Sequence, residues 1–153
     1  MSDCCCSPKE AIGSQSAACR ACLSKGQPVD ETTIKALLTA SALRRFEPGS
    51  YRFCPDASCK VVYFSEAGTS FTTEDVRVSI WQKEPPGQRT VCYCFDETES
   101  AIACELRDTG LSHAVERVRA HIAAHRCACE VRNPRGVCCL GDVIAAVERA
   151  QAR

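Results

Sequence analysis

The cysteines constrain this chain more than any other feature, because 14 of its 153 residues are cysteine and most of them lie in close pairs. Where thiols are kept reduced, such spacing is more typical of metal sites than of disulfides. The chain begins with Met1, shows no basic or apolar leader, and has no apolar run near the roughly 20 residues that cross a bilayer. We therefore expect a cytoplasmic, metal-binding protein without membrane insertion, rather than a secreted disulfide scaffold.

The charge balance argues against a nucleic-acid partner, because 19 basic side chains are matched by 19 acidic ones. The length suits one ordinary domain or two small ones. Glu84-Pro85-Pro86-Gly87 interrupts both helix and sheet, so we place a boundary there. The predicted organisation is a mobile tail over residues 1–16 with Cys4, Cys5 and Cys6, a zinc-binding lobe over 17–84, and a cluster-binding lobe over 85–153.

The first lobe is predicted to mix helix and strand. Asp30 is a candidate cap for a helix whose apolar residues recur at three- and four-residue steps as far as Leu43. Residues 50–54 and 60–64 have the composition of strands, and alternation over 72–81 predicts a third strand. The expected fold class is α+β, with a small zinc-binding α/β lobe followed by an all-helical lobe.

The second lobe is predicted to be all-helical, with its thiols in the turns. Helices are expected over 97–107 and from 112 to about 125, and Asp142 is a candidate cap for a last helix. Cys104, beside Ile102, is expected to be a core residue. His121 and His125 are four residues apart and are expected to share a helix face, but two histidines do not make a catalytic site. We expect no enzymatic activity.

The first group of paired cysteines predicts a metal site in the zinc-binding lobe: Cys19, Cys22, Cys54 and Cys59. Four thiolates in two close pairs suit tetrahedral Zn²⁺, which needs no open coordination position in a structural site. No histidine lies in this half of the chain, and a catalytic zinc would normally use histidine or carboxylate. Zinc here is expected to stabilise the fold of a lobe with few large apolar side chains.

The second group contains six thiols, namely Cys92, Cys94, Cys127, Cys129, Cys138 and Cys139. We interpret it as the site of a [2Fe-2S] cluster, which takes four thiolates and is anionic. The turn sequence Asn133-Pro134-Arg135-Gly136 can direct backbone N–H groups at sulfur, and a following helix N-terminus favours negative charge. Arg89, Arg126, Arg132 and Arg135 can add positive charge nearby, although solvated surface is the more common role of any one arginine.

Two sets of residues resemble the N-terminal domain of CopZ-type copper chaperones. One set is Val91-Cys92-Tyr93-Cys94 with the Cys129-x3-Asn-Pro-x-Gly-x-Cys-Cys segment, and the other is Cys19-x2-Cys22 with the segment from Phe53 to Phe64. The resemblance spans roughly residues 19–141, and the second lobe is also similar, more distantly, to bacterioferritin-associated ferredoxins. It implies a mononuclear zinc on Cys19, Cys22, Cys54 and Cys59, and a [2Fe-2S] cluster on Cys92, Cys94, Cys129 and Cys139. Cys127 and Cys138 would then be spare thiols, with Cys138 against Cys139 the most open choice.

The resemblance and the thiols together predict a redox-active metal-binding protein that transfers single electrons in copper or other soft-metal handling. Complete chaperones of this type also carry a ferredoxin-like domain with a Gly-Met-x-Cys-x-x-Cys loop, which the sequence up to Arg153 lacks. Copper transfer would then use the Cys4, Cys5 and Cys6 tail or a separate partner, such as a metal-chaperone domain or a metal-export ATPase. The alternative is a thiol-based metal or redox sensor, or an adaptor, with no electron-transfer role. A third interpretation is a two-zinc interaction module.

Overall fold

A computed structural model describes residues 17–153. The predicted tail with Cys4, Cys5 and Cys6 lies outside the described residues. The described part contains six helices and six strands, so the expected mixture of helix and sheet is confirmed. None of its helices combines the length and the apolar character needed to span a membrane.

The first lobe is built on a four-stranded antiparallel sheet. Its strands are β1 (Gln27–Val29), β2 (Tyr51–Phe53), β3 (Val61–Ser65) and β4 (Ser70–Thr72), in that spatial order. The strands predicted over 50–54 and 60–64 are confirmed as β2 and β3. β1 was not predicted, because Pro28 in so short a run gives no alternating pattern.

The helix predicted to run from Asp30 to Leu43 is two short helices, α1 (Glu31–Leu37) and α2 (Ala40–Leu43). Asp30 does cap α1, since its side chain accepts a hydrogen bond from the Thr32 N–H. Leu38 is extended and forms an isolated bridge with Val76. The apolar periodicity continues through the break because residues on both sides of it face the same core.

The third strand predicted over 72–81 is wrong. β4 ends at Thr72, and a 3₁₀ turn follows over Thr73–Asp75. The Asp75 carboxylate accepts hydrogen bonds from the Thr72 N–H and hydroxyl, and this capping turns the chain away from the sheet. Val76 and Ile80 are nevertheless buried. Their alternation therefore indicated burial of an extended segment rather than pairing in a sheet.

The second lobe combines a short hairpin with four helices. The hairpin is β5 (Thr90–Cys92) and β6 (Glu97–Thr98), and the helices are α3 (Glu99–Thr109), α4 (Ala114–Ala123), α5 (Cys129–Arg132) and α6 (Leu140–Gln151). The expectation of an all-helical lobe is therefore wrong, because the lobe contains the β5–β6 hairpin. Asp96 closes the hairpin with φ 54°, a left-handed conformation that asparagine and aspartate tolerate better than most residues.

Two expectations about α3 and α6 need correction. Cys104 is exposed, because Ile102 is the α3 residue that faces the core and a position two residues further points to the opposite side. Asp142 does not cap α6. The helix begins at Leu140 with Cys139 as its N-cap residue, and Asp142 lies in the first turn.

Separate hydrophobic clusters lie in the two lobes. The first is formed by the sheet, α1 and the segment up to Ile80, and the second begins at Val91 and includes Ile102, Val118 and Val143. The two clusters lie on either side of the irregular 84–87 segment. The exact domain boundary stays a prediction.

Candidate metal centres

The thiols of Cys19, Cys22, Cys54 and Cys59 converge at one end of the first lobe. Their Sγ atoms all lie within 4.8 Å of one another. The Cys22–Cys54 and Cys19–Cys59 Sγ pairs are separated by 3.5 and 3.9 Å. Four sulfurs bound tetrahedrally to Zn²⁺ would be about 3.8 Å apart, since each Zn–S bond is about 2.3 Å. A disulfide would require about 2.04 Å, so the spacing fits zinc.

Two tight turns present these thiols. In the first turn, Cys19 exchanges backbone hydrogen bonds with Leu23 and Ser24, and Leu23 has φ 64°. The second turn connects β2 to β3, where the Cys54 N–H donates to the Val62 carbonyl. The Asp56 carboxylate accepts from the Ser58 N–H and hydroxyl, which holds this second turn closed and lowers the pKa of Asp56.

The buried thiols of this group can ionise together only if a cation lies beside them. Burial raises the pKa of Cys54 and of Cys59, whereas hydrogen bonding to Ser24 lowers the pKa of Cys22 to about 7. Several thiolates could be buried together only with strong compensation of their charge. A bound Zn²⁺ would supply that compensation, and its binding would release protons.

Lys83, which sequence reasoning missed, adds positive charge beside the same turn. Its ammonium donates hydrogen bonds to the carbonyl oxygens of Asp56 and Cys59, at 2.6 and 2.8 Å. The local sequence gave no signal for this contact, because Lys83 follows the sheet and reaches back across more than twenty positions. A metal-ligand turn supported in this way resembles the outer hydrogen-bonding layer of other metal sites.

The second group of predicted ligands is distributed over three elements. Cys92 ends β5, Cys94 lies in the hairpin turn, Cys129 begins α5, and Cys139 precedes α6. The Sγ atoms of Cys94 and Cys129 are 3.6 Å apart, and the thiols of Cys92 and Cys139 interact with each other. Among residues 17–153, these thiols do not meet the mutual 4.8 Å limit that the first group meets. The second group is therefore more widely spaced than the first, with one close pair formed by Cys94 and Cys129.

The surroundings of this second group differ from thiol to thiol. Hydrogen bonding to Cys139 lowers the pKa of Cys92 to about 7, and the same interaction together with burial raises the pKa of Cys139. Burial raises the pKa of Cys129 to about 12. The Ala128 N–H donates to the Cys94 sulfur at 3.3 Å. Backbone N–H groups and the N-terminus of α6 thus favour negative charge at this site.

Comparison with known proteins supports the assignment of zinc to the first site. Residues 16–77 match the sequence profile of the zf_CopZ family, described as a zinc binding domain. This range contains the four converging cysteines. The N-terminal part of the chain is a CopZ-type zinc-binding domain.

The likeness continues beyond the CopZ-type domain. The copper chaperone CopZ of Archaeoglobus fulgidus is 31% identical over 121 residues, which cover 79% of this chain and 57% of that protein. The chain therefore spans little more than half the length of this relative. The X-ray structure of the N-terminal domain of the same archaeal CopZ superposes with a TM-score of 0.67 at 28% identity, covering 84% of this chain and 95% of that one. The 84% of this chain that superposes is much longer than residues 16–77. The shared fold therefore includes much of the second lobe.

Among residues 17–153, the thiols that are not predicted ligands are exposed, namely Cys104, Cys127 and Cys138. Cys127 and Cys138 are accessible to solvent, whereas Cys139 is buried and Cys129 is partly buried. Exposure is compatible with the view that Cys127 and Cys138 are spare. The choice of ligands stays a prediction.

Arginines near the second site are paired more often than the sequence suggested. Arg135 forms a salt bridge with Asp142 in the first turn of α6. Arg89 lies 3.8 Å from the Glu99 carboxylate and stacks over Trp81. Arg117, which sequence reasoning did not single out, binds the buried Glu97 with both arms of its guanidinium, at 2.7 and 3.0 Å. These pairs fix the elements around the thiols rather than leave free positive charge.

His121 and His125 do not lie on one face of a helix. His121 stacks on Phe95 with ring centroids 3.9 Å apart. His125 lies beyond the end of α4 with φ 56°, so the expectation that it shares a helix face with His121 is wrong. The chain reverses before His125 because α4 ends at Ala123.

Proposed function

We propose that this protein is a non-enzymatic, redox-active metal carrier with one structural zinc and one [2Fe-2S] cluster. The zinc is held by the thiolates of Cys19, Cys22, Cys54 and Cys59. The cluster is held by the thiolates of Cys92, Cys94, Cys129 and Cys139. Single-electron transfer by the cluster serves the handling of copper or another soft metal. The observation that carries the proposal is the 3.6 Å approach of the Cys94 and Cys129 Sγ atoms, together with the interaction of the Cys92 and Cys139 thiols.

The zinc assignment is supported by the tetrahedral spacing of four thiols and by the family match over the same residues. Both turns are already closed by backbone and side-chain hydrogen bonds, so little reorganisation is needed on binding. The thiols lie in the turn that connects β2 to β3 and in the turn before β1, where a cation joins segments outside the hydrophobic cluster of the first lobe. Zinc therefore has a structural role here.

The cluster assignment is supported by the different geometry of the second group. A [2Fe-2S] cluster with four cysteine ligands places two thiolates on each iron. One close pair, Cys94 with Cys129, and a second pair, Cys92 with Cys139, suit the two irons. A single zinc would require all four sulfurs within one tetrahedron. The N–H of Ala128 and the start of α6 favour the negative charge of a cluster.

A bound [2Fe-2S] cluster supplies the capacity to accept and release one electron. Cys92, Cys94, Cys129 and Cys139 would hold it, and Cys94 and Cys129 are only partly buried, which would leave this side open to an electron acceptor. Once reduced by an external electron donor, the cluster would supply the one electron that converts Cu²⁺ to Cu⁺, the form that thiolate carriers bind. A separate metal-chaperone domain or a metal-export ATPase is the proposed recipient of that copper.

Metal analysis of the full chain purified without oxygen tests the proposal. The expected content is about two irons, about two acid-labile sulfides and about one zinc per chain. The protein should be coloured, and reduction should bleach the visible absorption and produce an electron paramagnetic resonance signal. A colourless protein with about two zincs per chain would favour a two-zinc interaction module, and thiols recovered as cystines would exclude both metal sites.

A metal or redox sensor is the second candidate, and the exposure of Cys127 and Cys138 favours it. In that case these two thiols bind a soft cation and alter contact with a partner. The double variant Cys127→Ser/Cys138→Ser should then lose Cu⁺ binding while its electron transfer is unchanged. Unchanged Cu⁺ affinity in this variant would leave these thiols without a sensing role.

A further inference from the structure

Two hydrogen bonds connect the interior of the first lobe to the loop of the second lobe that carries two predicted cluster ligands. The Tyr63 hydroxyl donates to the Pro134 carbonyl, and the Thr33 hydroxyl donates to the Glu130 carbonyl, each at 2.6 Å. Both acceptors lie between Cys129 and Cys139. The donors come from different elements, β3 and α1, so the loop is held at two separate points.

Both donors are fixed within the first lobe. Tyr63 is fully buried, and burial raises its pKa, so the phenol stays protonated at neutral pH and donates. Thr33 is 1% exposed. Gly136 has φ 69°, and a Cβ at that position would lie 2.6 Å from the Thr33 hydroxyl oxygen. The loop therefore lies so close to Thr33 that position 136 has no room for a side chain.

The same loop is also organised internally. The Asn133 side chain, 2% exposed, donates to the Val137 carbonyl and accepts from the Arg135 N–H. These contacts shape the turn, but they do not set its position relative to the β5–β6 hairpin that carries Cys92 and Cys94. The bonds from Tyr63 and Thr33 attach the turn to β3 and α1, which lie outside the second lobe.

We infer that Tyr63 and Thr33 are positioning residues that place Cys129 and Cys139 opposite Cys94 and Cys92 for cluster binding. The inference rests on the proposed function and assigns the first lobe a part in it. The zinc-binding lobe is then a support for the second site as well as a metal site of its own. The side-chain hydrogen bonds of both residues end on backbone carbonyls of the loop rather than on a thiol, so each acts through the loop.

The variants Tyr63→Phe and Tyr51→Phe separate positioning from general stability. Tyr63→Phe removes one oxygen and leaves the Pro134 carbonyl without its donor. Tyr51→Phe removes the same atom from the same core, where the hydroxyl donates to the Glu47 carbonyl, far from the loop. Thr33→Val is paired with Thr33→Ser, which keeps a hydroxyl.

Two measurements are made on the full chain purified without oxygen. The first is the rate at which iron is lost to an excess of a ferrous or ferric chelator, with zinc content followed in parallel. The second is hydrogen exchange of the amides in residues 129–137, which does not depend on iron. Loss of one hydrogen bond of ordinary strength should accelerate both by about fivefold in Tyr63→Phe and in Thr33→Val. Tyr51→Phe and Thr33→Ser should match the parent protein within about twofold, and zinc content should not change.

Equal iron loss and equal amide exchange in Tyr63→Phe and the parent protein would overturn the inference. So would an equal acceleration by Tyr51→Phe, because the effect would then be one of general stability. If the parent protein contains no iron, the proposed function fails instead, and amide exchange alone still decides whether Tyr63 and Thr33 position the loop.

Discussion

The ammonium of Lys83 donates a hydrogen bond to the carbonyl oxygen of Cys59 at 2.8 Å, and so joins the end of the first lobe to the turn that presents two thiols. It also donates to the Asp56 carbonyl in the same turn. A positive charge in this place favours the thiolate forms that zinc requires.

Replacing Lys83 by methionine should therefore weaken zinc binding by about 10-fold, the lower end of the effects seen when supports of metal ligands are removed. Competition with a chromophoric zinc chelator measures the affinity. Lys60→Met is the matched control, since Lys60 is exposed and adjacent to Cys59 but its ammonium donates no hydrogen bond to this turn. Equal weakening by both variants would attribute the effect to net charge alone.

The neighbouring cysteines of the second site offer paired tests of ligand identity. Cys139→Ser and Cys129→Ser should abolish or strongly reduce iron and sulfide content, because buried and partly buried thiols are lost. Cys138→Ser and Cys127→Ser remove exposed thiols and should retain the cluster. Visible absorption and iron analysis distinguish the two outcomes. Cluster loss in Cys138→Ser with retention in Cys139→Ser would reverse the assignment.

The Glu105 carboxylate should make stability depend on pH. Hydrogen bonding from Arg117 lowers the pKa of Glu105 from its ordinary 4.5 to about 2. Because the folded pKa is lower than the unfolded one, this contribution is present above pH 4.5 and is lost as the pH falls towards 2. Glu105→Gln should be less stable than the parent protein at pH 7, and the difference should shrink between pH 4.5 and 2. Chemical denaturation across this range measures it.

Glu116→Gln is the control for that titration, since it removes an exposed carboxylate of the adjacent helix α4. Its effect on the free energy of unfolding at pH 7 should be smaller than that of Glu105→Gln, because its side chain is exposed. A difference between the parent protein and Glu105→Gln that stays constant down to pH 2 would contradict the assigned pairing with Arg117.

Gly136 should resist substitution more than Gly141. Alanine at position 136 would have to adopt φ 69° and would place its Cβ against Thr33, so Gly136→Ala should destabilise the protein by about 1–3 kcal/mol. Gly141 lies in α6 with open space around it, and Gly141→Ala should be neutral or stabilising by up to about 1 kcal/mol. Thermal unfolding of the two variants gives the comparison, and a neutral Gly136→Ala would mean that the loop can move away from Thr33.

Local patterns predicted much of the first lobe. Asp30 was recognised as a helix cap, and the strands near Tyr51 and Val61 were recognised from their composition. The segment after Thr72 was misassigned, because burial alternates along any extended chain on a core and does not require a hydrogen-bonded neighbour. The prediction that Cys104 lies in the core is wrong, because residues two positions apart in a helix lie on opposite sides and Ile102 faces the core.

The sequence by itself determined that the thiols fall into two groups, since spacing, composition and turn residues are properties of short segments. It also predicted zinc for the first group, in agreement with the convergence of Cys19, Cys22, Cys54 and Cys59. Only the tertiary structure decided that Lys83 supports the zinc turn and that Tyr63 and Thr33 reach the loop of the second site. These contacts join residues far apart in the chain, and their formation depends on how whole elements pack, which no local pattern records.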